Sequence, residues 1–198
     1  MYKLHSRRYF KIKPPFNKAI RLLLMADSMW LMGRAMLGPI YALFVAEIGG
    51  SLFDAGITFG VYALSAGIIT LVSGTLVDRV KENELIIAAG FLISGIGFGL
   101  YTMVDSMTML LIAQAVIGAG EATKFPAYDE VYSKHLDKNK GGEEWGAWES
   151  VAYFTTALGA VAGGYVASKY GFDAIFGLMT ILSLSAAIFI YVLPRKAL

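Results

Sequence analysis

Four ionisable residues stand inside long apolar runs. Asp27 and Arg34 interrupt a run from about Leu22 to Ala46, and Glu121 and Lys124 interrupt one from about Met107 to Tyr132. A charge at the centre of a bilayer costs at least ~2.5–3.5 kcal/mol on insertion scales, so such residues need a partner or a watery cavity, and they usually mark a substrate or proton pathway. Arg34 lies about twelve residues past Leu22 and Glu121 about fourteen past Met107, which places them at similar depth and predicts that they face one cavity. The chemistry on offer is proton carriage by Glu121 and cation contacts from Arg34 and Lys124 to an anionic group. Asp27 precedes Arg34 by two helical turns and shares its face. Lys124 follows Glu121 by three residues, a spacing that allows pairing within one helix. The competing reading is a charge network that only holds the two helices together.

The elements that carry these residues follow from composition. The 198 residues are 57% hydrophobic and 16% charged, with a mean hydropathy of +0.59. Soluble domains are nearer half apolar and a quarter charged, so this balance predicts a membrane protein. Six apolar runs are expected to cross the bilayer as helices: Leu22 to Ala46, Ala55 to Val77, Leu85 to Val104, Met107 to Tyr132, Trp145 to Ser168 and Ala174 to Pro194. Each reaches the ~20 residues needed to span ~30 Å at 1.5 Å per residue. None alternates polar and apolar residues as a barrel strand would. Residues 1–21 are read as a basic cytoplasmic arm that is broken by Pro14-Pro15, residues 22–194 as the transmembrane domain, and residues 195–198 as a cytoplasmic end. The apolar stretch after the arm is too long for a signal-peptide core, so the first span is expected to be retained.

Loop charges set the orientation. Most of the 17 basic residues fall in the arm, in the connections after the second and fourth runs (Arg79, Lys81, Lys134, Lys138, Lys140) and at Arg195 and Lys196. The opposite loops hold only Lys169. Both termini are therefore expected in the cytoplasm, with very short external loops. Glu143-Glu144 suit the positive end of the fifth helix. Trp145, Trp148, Tyr170 and Phe172 read as interfacial anchors. Tyr62, Tyr128 and Tyr153 can line a cavity, although packing is the preferred reading, and His135 reads as a solvent-facing loop residue.

Charge and small residues repeat with a period of three runs. The first and fourth carry central charges. The second and fifth are rich in small residues (Gly56, Gly60, Ala63, Gly67; Gly159, Ala160, Gly163, Gly164). The third and sixth carry no charge and are expected to face lipid. Three spans reverse direction, so the second copy is inverted. Glycines at spacing four, such as Gly159/Gly163, let helices approach closely.

The stretch Gly74-Thr-Leu-Val-Asp78-Arg79-Val-Lys81 resembles the loop after the second helix of the major facilitator superfamily, Gly-x3-Asp-Arg/Lys-x-Gly-x-Arg/Lys-Arg/Lys. Gly74, Asp78 and Arg79 match; Lys81 replaces the later Gly, and Asn83 and Glu84 the final basic pair. Gly118-Ala-Gly120 with Pro126 resembles that family's fourth helix. Gly146, Gly159 and Gly163-Gly164, followed by Tyr170-Gly171-Phe172, resemble its fifth and its exit, although Thr155 and Ala160 stand where the antiporter signature has Gly and Pro. The resemblance implies one six-helix half of a twelve-helix fold, an all-α membrane protein of two inverted three-helix repeats. It further implies a cytoplasmic gate of Gly74, Asp78, Arg79 and Lys81, with Asp78 facing a helix N-terminus of a partner half and Arg79 pairing with Asp129 or Glu130. Glu149, one turn into the fifth helix, either joins this cytoplasmic cluster or stays at the positive end of its own helix dipole.

Six helices alone would turn charged faces toward lipid, so a homodimer or a separate second half is expected. The expected function is secondary transport of a small solute by alternating access, with a proton as candidate coupling ion. The alternative is a non-transporting membrane subunit that uses the half fold as an interaction module. Several classes are excluded. Ser73-Gly74 lacks the glycine of a rhomboid nucleophile, no Asn-Pro supplies a water-channel half-helix, and no Gly-Lys-Ser/Thr holds a nucleotide. With no cysteine and two histidines, no thiolate or histidine metal site is expected. No enzyme activity, cofactor or nucleic-acid partner is expected either.

Overall fold

A computed structural model describes residues 16–194 and 197–198. The basic arm before Phe16, with Pro14-Pro15, and Arg195 and Lys196 lie outside the described residues. The first span is Lys18–Glu47: α1 (Lys18–Leu37), a 3-10 turn (Gly38–Ile40) and α2 (Tyr41–Glu47). Then come α3 (Leu52–Val77), α4 (Asn83–Leu100), which runs into a 3-10 turn at Tyr101–Met103, α5 (Met107–Lys134), α6 (Gly141–Tyr170) and α7 (Phe172–Val192). Among the described residues there is no strand. Five of the six spans are long and apolar enough to cross a membrane. The sixth, α5, carries Glu121, Lys124, Asp129, Glu130 and Lys134.

Local chemistry sets the ends. The side chains of Asn17, Ser51 and Ser106 cap α1, α3 and α5 by accepting from Ile20, Asp54 and Met109 N–H, and Asp54 completes a capping box with Ser51. Gly171 alone joins α6 to α7 at φ 82°, a conformation that glycine adopts without strain. The break in the first span falls at Gly38-Pro39. Proline removes a backbone donor and disfavours helix in the residue before it. The Gly-Pro pair was the signal for that break, and the uninterrupted first helix expected from hydropathy is corrected accordingly.

The packing obeys the inverted repeat. α1 packs on α6 and α7, and α5 packs on α3 and α4. Exchanging the first and fourth, second and fifth, and third and sixth spans maps one set of contacts onto the other. The self-paired contact, α4 on α7, closes the middle. Glycines make the seams. A Cβ on Gly163 of α6 would collide with the Met36 carbonyl of α1, and one on Gly118 of α5 with the Tyr62 carbonyl of α3. Ser183 Oγ donates to the Phe91 carbonyl at 2.8 Å and pins α7 to α4.

This centre corrects one expectation. The charge-free α4 and α7 meet inside the bundle and bury one face each, with Leu92, Ile96, Ile181 and Ile188 on their outer sides. Gly95 lets Leu184 of α7 approach α4, while Gly90 and Gly97 admit α5 to the same helix. α3 and α6 are the most exposed spans, with Leu64, Ile68 and Leu71 on one and Tyr153, Leu158 and Val161 on the other at 55–77% exposure. Gly56, Gly60, Gly67, Gly74 and Gly164 face open space.

Pro126 sits inside α5 without ending it. It cannot donate to the Ala122 carbonyl one turn back, and a carbonyl left bare at membrane depth is costly. Ser73 of α3 supplies the missing donor, with Oγ 2.7 Å from that oxygen.

Candidate functional site

α1 presents Asp27, Trp30 and Arg34 on one face, and α5 answers with Glu121, Lys124 and Tyr128. The charges pair crosswise. Lys124 Nζ lies 2.7 Å from Asp27 Oδ1, and Arg34 Nε lies 3.3 Å from Glu121 Oε2. Each pair is neutral, which removes net charge from the bilayer interior. Arg34 and Glu121, expected to face one cavity, meet directly as an ion pair, and of the two only Arg34 is among the residues that line the cavity described below. The pairing of Lys124 with its helix neighbour Glu121 is not formed, because Asp27 is in reach and already oriented.

The two pairs differ in kind. The lysine pair is sealed, with side-chain exposures of 1% for Lys124 and 3% for Asp27. Lys124 Nζ sits 3.6 Å from the Trp30 ring centroid and 4.4 Å from that of Phe125, favourable distances for a desolvated cation on aromatic faces. The second Asp27 oxygen accepts from Trp148 Nε1 at 3.1 Å. Trp148 is thus a structural link from α6 to α1 rather than only an interfacial anchor.

The arginine pair is open. Arg34 is 45% exposed along its side chain and Glu121 only 9%. Glu121 Oε2 is buried without a hydrogen-bond partner, so its bond to Arg34 is charge attraction without alignment. Arg34 Nη2 reaches the Tyr62 hydroxyl at 3.4 Å, and the guanidinium lies 5.7 Å from the Trp30 ring.

Beside Arg34 is a cavity of about 280 Å³. Tyr62, Tyr41, Gln114 and Thr156 add polar groups to its wall, and Phe59, Phe98 and Tyr101 add rings. Gln114 Nε2 donates to the Tyr41 hydroxyl at 2.6 Å, which also bonds Thr58 Oγ1 at 2.6 Å. This tie joins α2, α3 and α5 at the cavity's far end. Tyr62 therefore lines the cavity, against the packing role expected for it. Tyr128 is buried packing, and Tyr153 is exposed on α6. Sequence reasoning also missed Tyr41 and Gln114, whose only signal was polarity inside apolar helices.

The expected gate residues are less assembled. Asp78 is the C-cap of α3, and Asp78, Arg79, Lys81, Asp129 and Glu149 are exposed, with Gly74 half-buried. Arg79 makes no ion pair with Asp129 or Glu130 among the described residues. Glu130 instead pairs with Lys134 at 2.8 Å, one turn along its own helix. Nearby, Glu144 is buried at the start of α6 and accepts from Asp137 N–H at 2.8 Å, while the Tyr132 hydroxyl donates to the Glu144 carbonyl. His135 is half-buried at the end of α5, its Nδ1 2.8 Å from the Val131 carbonyl, rather than solvent-facing.

Six spans in two inverted triplets, with charges on the first span of each and a cavity beside them, define a membrane-embedded helical domain built as an inverted repeat. Comparison with known proteins agrees: the Major Facilitator Superfamily profile matches residues 24–198, and the chain belongs to that family. It is an integral membrane protein. An uncharacterized MFS-type transporter of Methanocaldococcus jannaschii is 25% identical over 81% of this chain and 42% of that protein. Multidrug resistance protein MdtG of Erwinia billingiae is 22% identical over 98% of this chain and 47% of its own length. Inner membrane transport protein YajR of Escherichia coli is 25% identical over 95% and 41%. The chain thus spans less than half the length of the curated relatives it matches.

Proposed function

We propose that this chain forms one half of a secondary active transporter that carries a small solute by alternating access past Arg34 and Glu121. The observation that carries the reading is the half-exposed, loosely paired arginine facing a cavity at membrane depth. A guanidinium kept in such a place at such cost is there to meet a ligand. The names of the relatives, which include a multidrug resistance protein, support an organic solute as the cargo. Glu121 is the carboxylate placed to carry a coupling proton, and Asp27 and Lys124 hold the wall of the pathway. Gly74, Asp78, Arg79, Lys81, Asp129, Glu130 and Glu149 form the inner gate, closing against the opposing half. Both termini lie in the cytoplasm.

The opposing half is a second set of six spans, whether a second copy or a different sequence. The exposed apolar faces of α3 and α6 and the open glycines of α3 supply a surface for it. Those same faces favour a second reading, a non-transporting subunit that docks a membrane partner. Flux separates the two. In proteoliposomes, uptake or counterflow should be present and should fall at least tenfold in Arg34→Ala and Glu121→Gln. Unchanged flux in both variants would remove the site, and no flux of any solute with a stable partner in pull-downs would favour the subunit. The mass of the detergent-solubilised particle tells one chain from two.

A further inference from the structure

We propose that the Arg34 cavity selects small aromatic monoanions, carboxylates on a one- or two-ring body, over amines or neutral molecules of the same shape. The inference rests on the transport reading above only for its physiological use; the selectivity itself is a property of the cavity. Of the four central charges, three are withdrawn from a ligand. Lys124 and Asp27 are sealed against each other, and Glu121 lies behind Arg34 with 9% of its side chain exposed. Arg34 alone offers its charge to the cavity. One cation, with no second among the described residues that line the space, matches one negative charge and not a phosphate or a dicarboxylate.

The hold on Arg34 is exchangeable. Its Nε sees Glu121 at 3.3 Å without hydrogen-bond alignment, its other end meets the Tyr62 hydroxyl at 3.4 Å, and the Trp30 ring lies 5.7 Å away. A ligand carboxylate can take the guanidinium edge in two parallel bonds, the strong geometry for this pair. An amine faces the reverse situation. To reach Glu121 it must displace a guanidinium, and until then it meets like charge. The charged and titratable groups around Glu121 are Arg34 and Asp27 from α1, Tyr62 from α3 and Lys124 on its own helix, while α4 presents Gly90 and Ser94 to this stretch of α5.

The ligand body is set by the remaining wall. Phe59 and Tyr62 lie with ring centroids 5.4 Å apart, and Phe98 and Tyr101 also line the space. A volume of about 280 Å³ lies just below the usual range for drug-sized ligands and suits a body of one or two fused rings. The cavity also explains itself by subtraction: removing the Arg34 charge would uncover Glu121 and turn an anion site into a cation site.

The test measures equilibrium binding of three radiolabelled probes of one shape, 1-naphthoate, 1-naphthol and 1-naphthylmethylamine, to the detergent-solubilised full chain. Wild type should bind naphthoate at least tenfold tighter than either of the others. Arg34→Gln should lose that preference and bind the amine tighter than naphthoate, and Arg34→Lys should keep part of the anion preference. Naphthol binding as tightly as naphthoate, an amine preference in wild type, or no saturable naphthoate binding each overturns the proposal. Flux of another solute in proteoliposomes without naphthoate binding leaves the transport reading intact while this inference fails. Naphthoate selectivity without flux does the reverse.

Discussion

Lys124→Met isolates the sealed ion pair. The substitution keeps length and apolar stem but removes the ammonium from between Asp27 and the Trp30 ring, at 2.7 Å and 3.6 Å respectively. Asp27 stays 2% exposed with Trp148 Nε1 as its remaining partner. Leaving one member of a buried pair without its counter-charge costs about 3–5 kcal/mol. For a chain of 198 residues, at about 2–4 °C per kcal/mol, that lowers the melting temperature by roughly 6–20 °C. The double variant Asp27→Asn/Lys124→Met removes both charges and leaves Trp148 an acceptor, so most of the loss should return. The reporter is built in, because Trp30 and Trp148 both touch the pair and the intrinsic tryptophan emission of detergent-solubilised protein follows their exposure. A single variant within about 1 kcal/mol of wild type would refute the sealed-pair argument. So would a double variant no more stable than the single, since the loss would then come from packing and not from an orphaned charge. Flux per folded molecule in the double variant separates a structural role for the pair from a transport role.

Three further outcomes test the frame around the site. Ser73→Ala should cost about 1–3 kcal/mol, because Pro126 leaves the Ala122 carbonyl no other donor. Ser65→Ala, whose Oγ bonds the Ala115 carbonyl at 2.7 Å in addition to the helix's own ladder, should cost nearer ~0.6 kcal/mol; equal losses in unfolding titrations would dismiss the proline argument. Gly163→Ala should destabilise by about 3 kcal/mol by pushing α6 off the Met36 backbone, while Gly164→Ala next to it, facing open space, should be neutral or slightly stabilising; the two melting temperatures decide it. Trp148→Phe should cost about 1.5–3 kcal/mol through the lost bond to a buried carboxylate, and a loss no greater than that of an exposed aromatic such as Tyr153→Phe would return Trp148 to a plain anchor.

The spans were legible because hydropathy over twenty residues is a one-dimensional property that tertiary context rarely overrides in a membrane. The inverted repeat was legible for a similar reason, since Arg34 and Glu121 recur at matching depth in matching runs. What was hidden was partner choice. Sequence spacing puts Lys124 beside Glu121, but a lysine stem reaches across a helix seam as easily as along its own helix, and Asp27 with Trp30 made the better cage. Burial of α4 and α7 was hidden too: absence of charge allows a lipid-facing helix and a central one equally, and the deciding signal was the glycine and serine pattern of Gly90, Ser94, Gly97 and Ser183. Gly38-Pro39 carried a break signal that hydropathy averaged away. The latch between Arg79 and α5 came from the family resemblance alone, and in this half the acid it would use at Glu130 is held by Lys134.

The two crossed pairs divide the work of one half. Asp27, Lys124 and Trp148 tie α1, α5 and α6 together through contacts that leave no room for water, so that part of the bundle resists internal rearrangement. Arg34 and Glu121, on the same two helices, are held loosely and face open space. On the proposed reading, a half that is stiff inside and adaptable only at its cavity face is what rigid-body rocking against a second half requires. The moving surface is then the one formed by α3 and α6, where large apolar side chains and open glycines are exposed and few side chains are anchored to the bundle. The serine bonds of Ser65 and Ser73 to α5 therefore matter more than their number suggests, because they decide whether α3 travels with its own half.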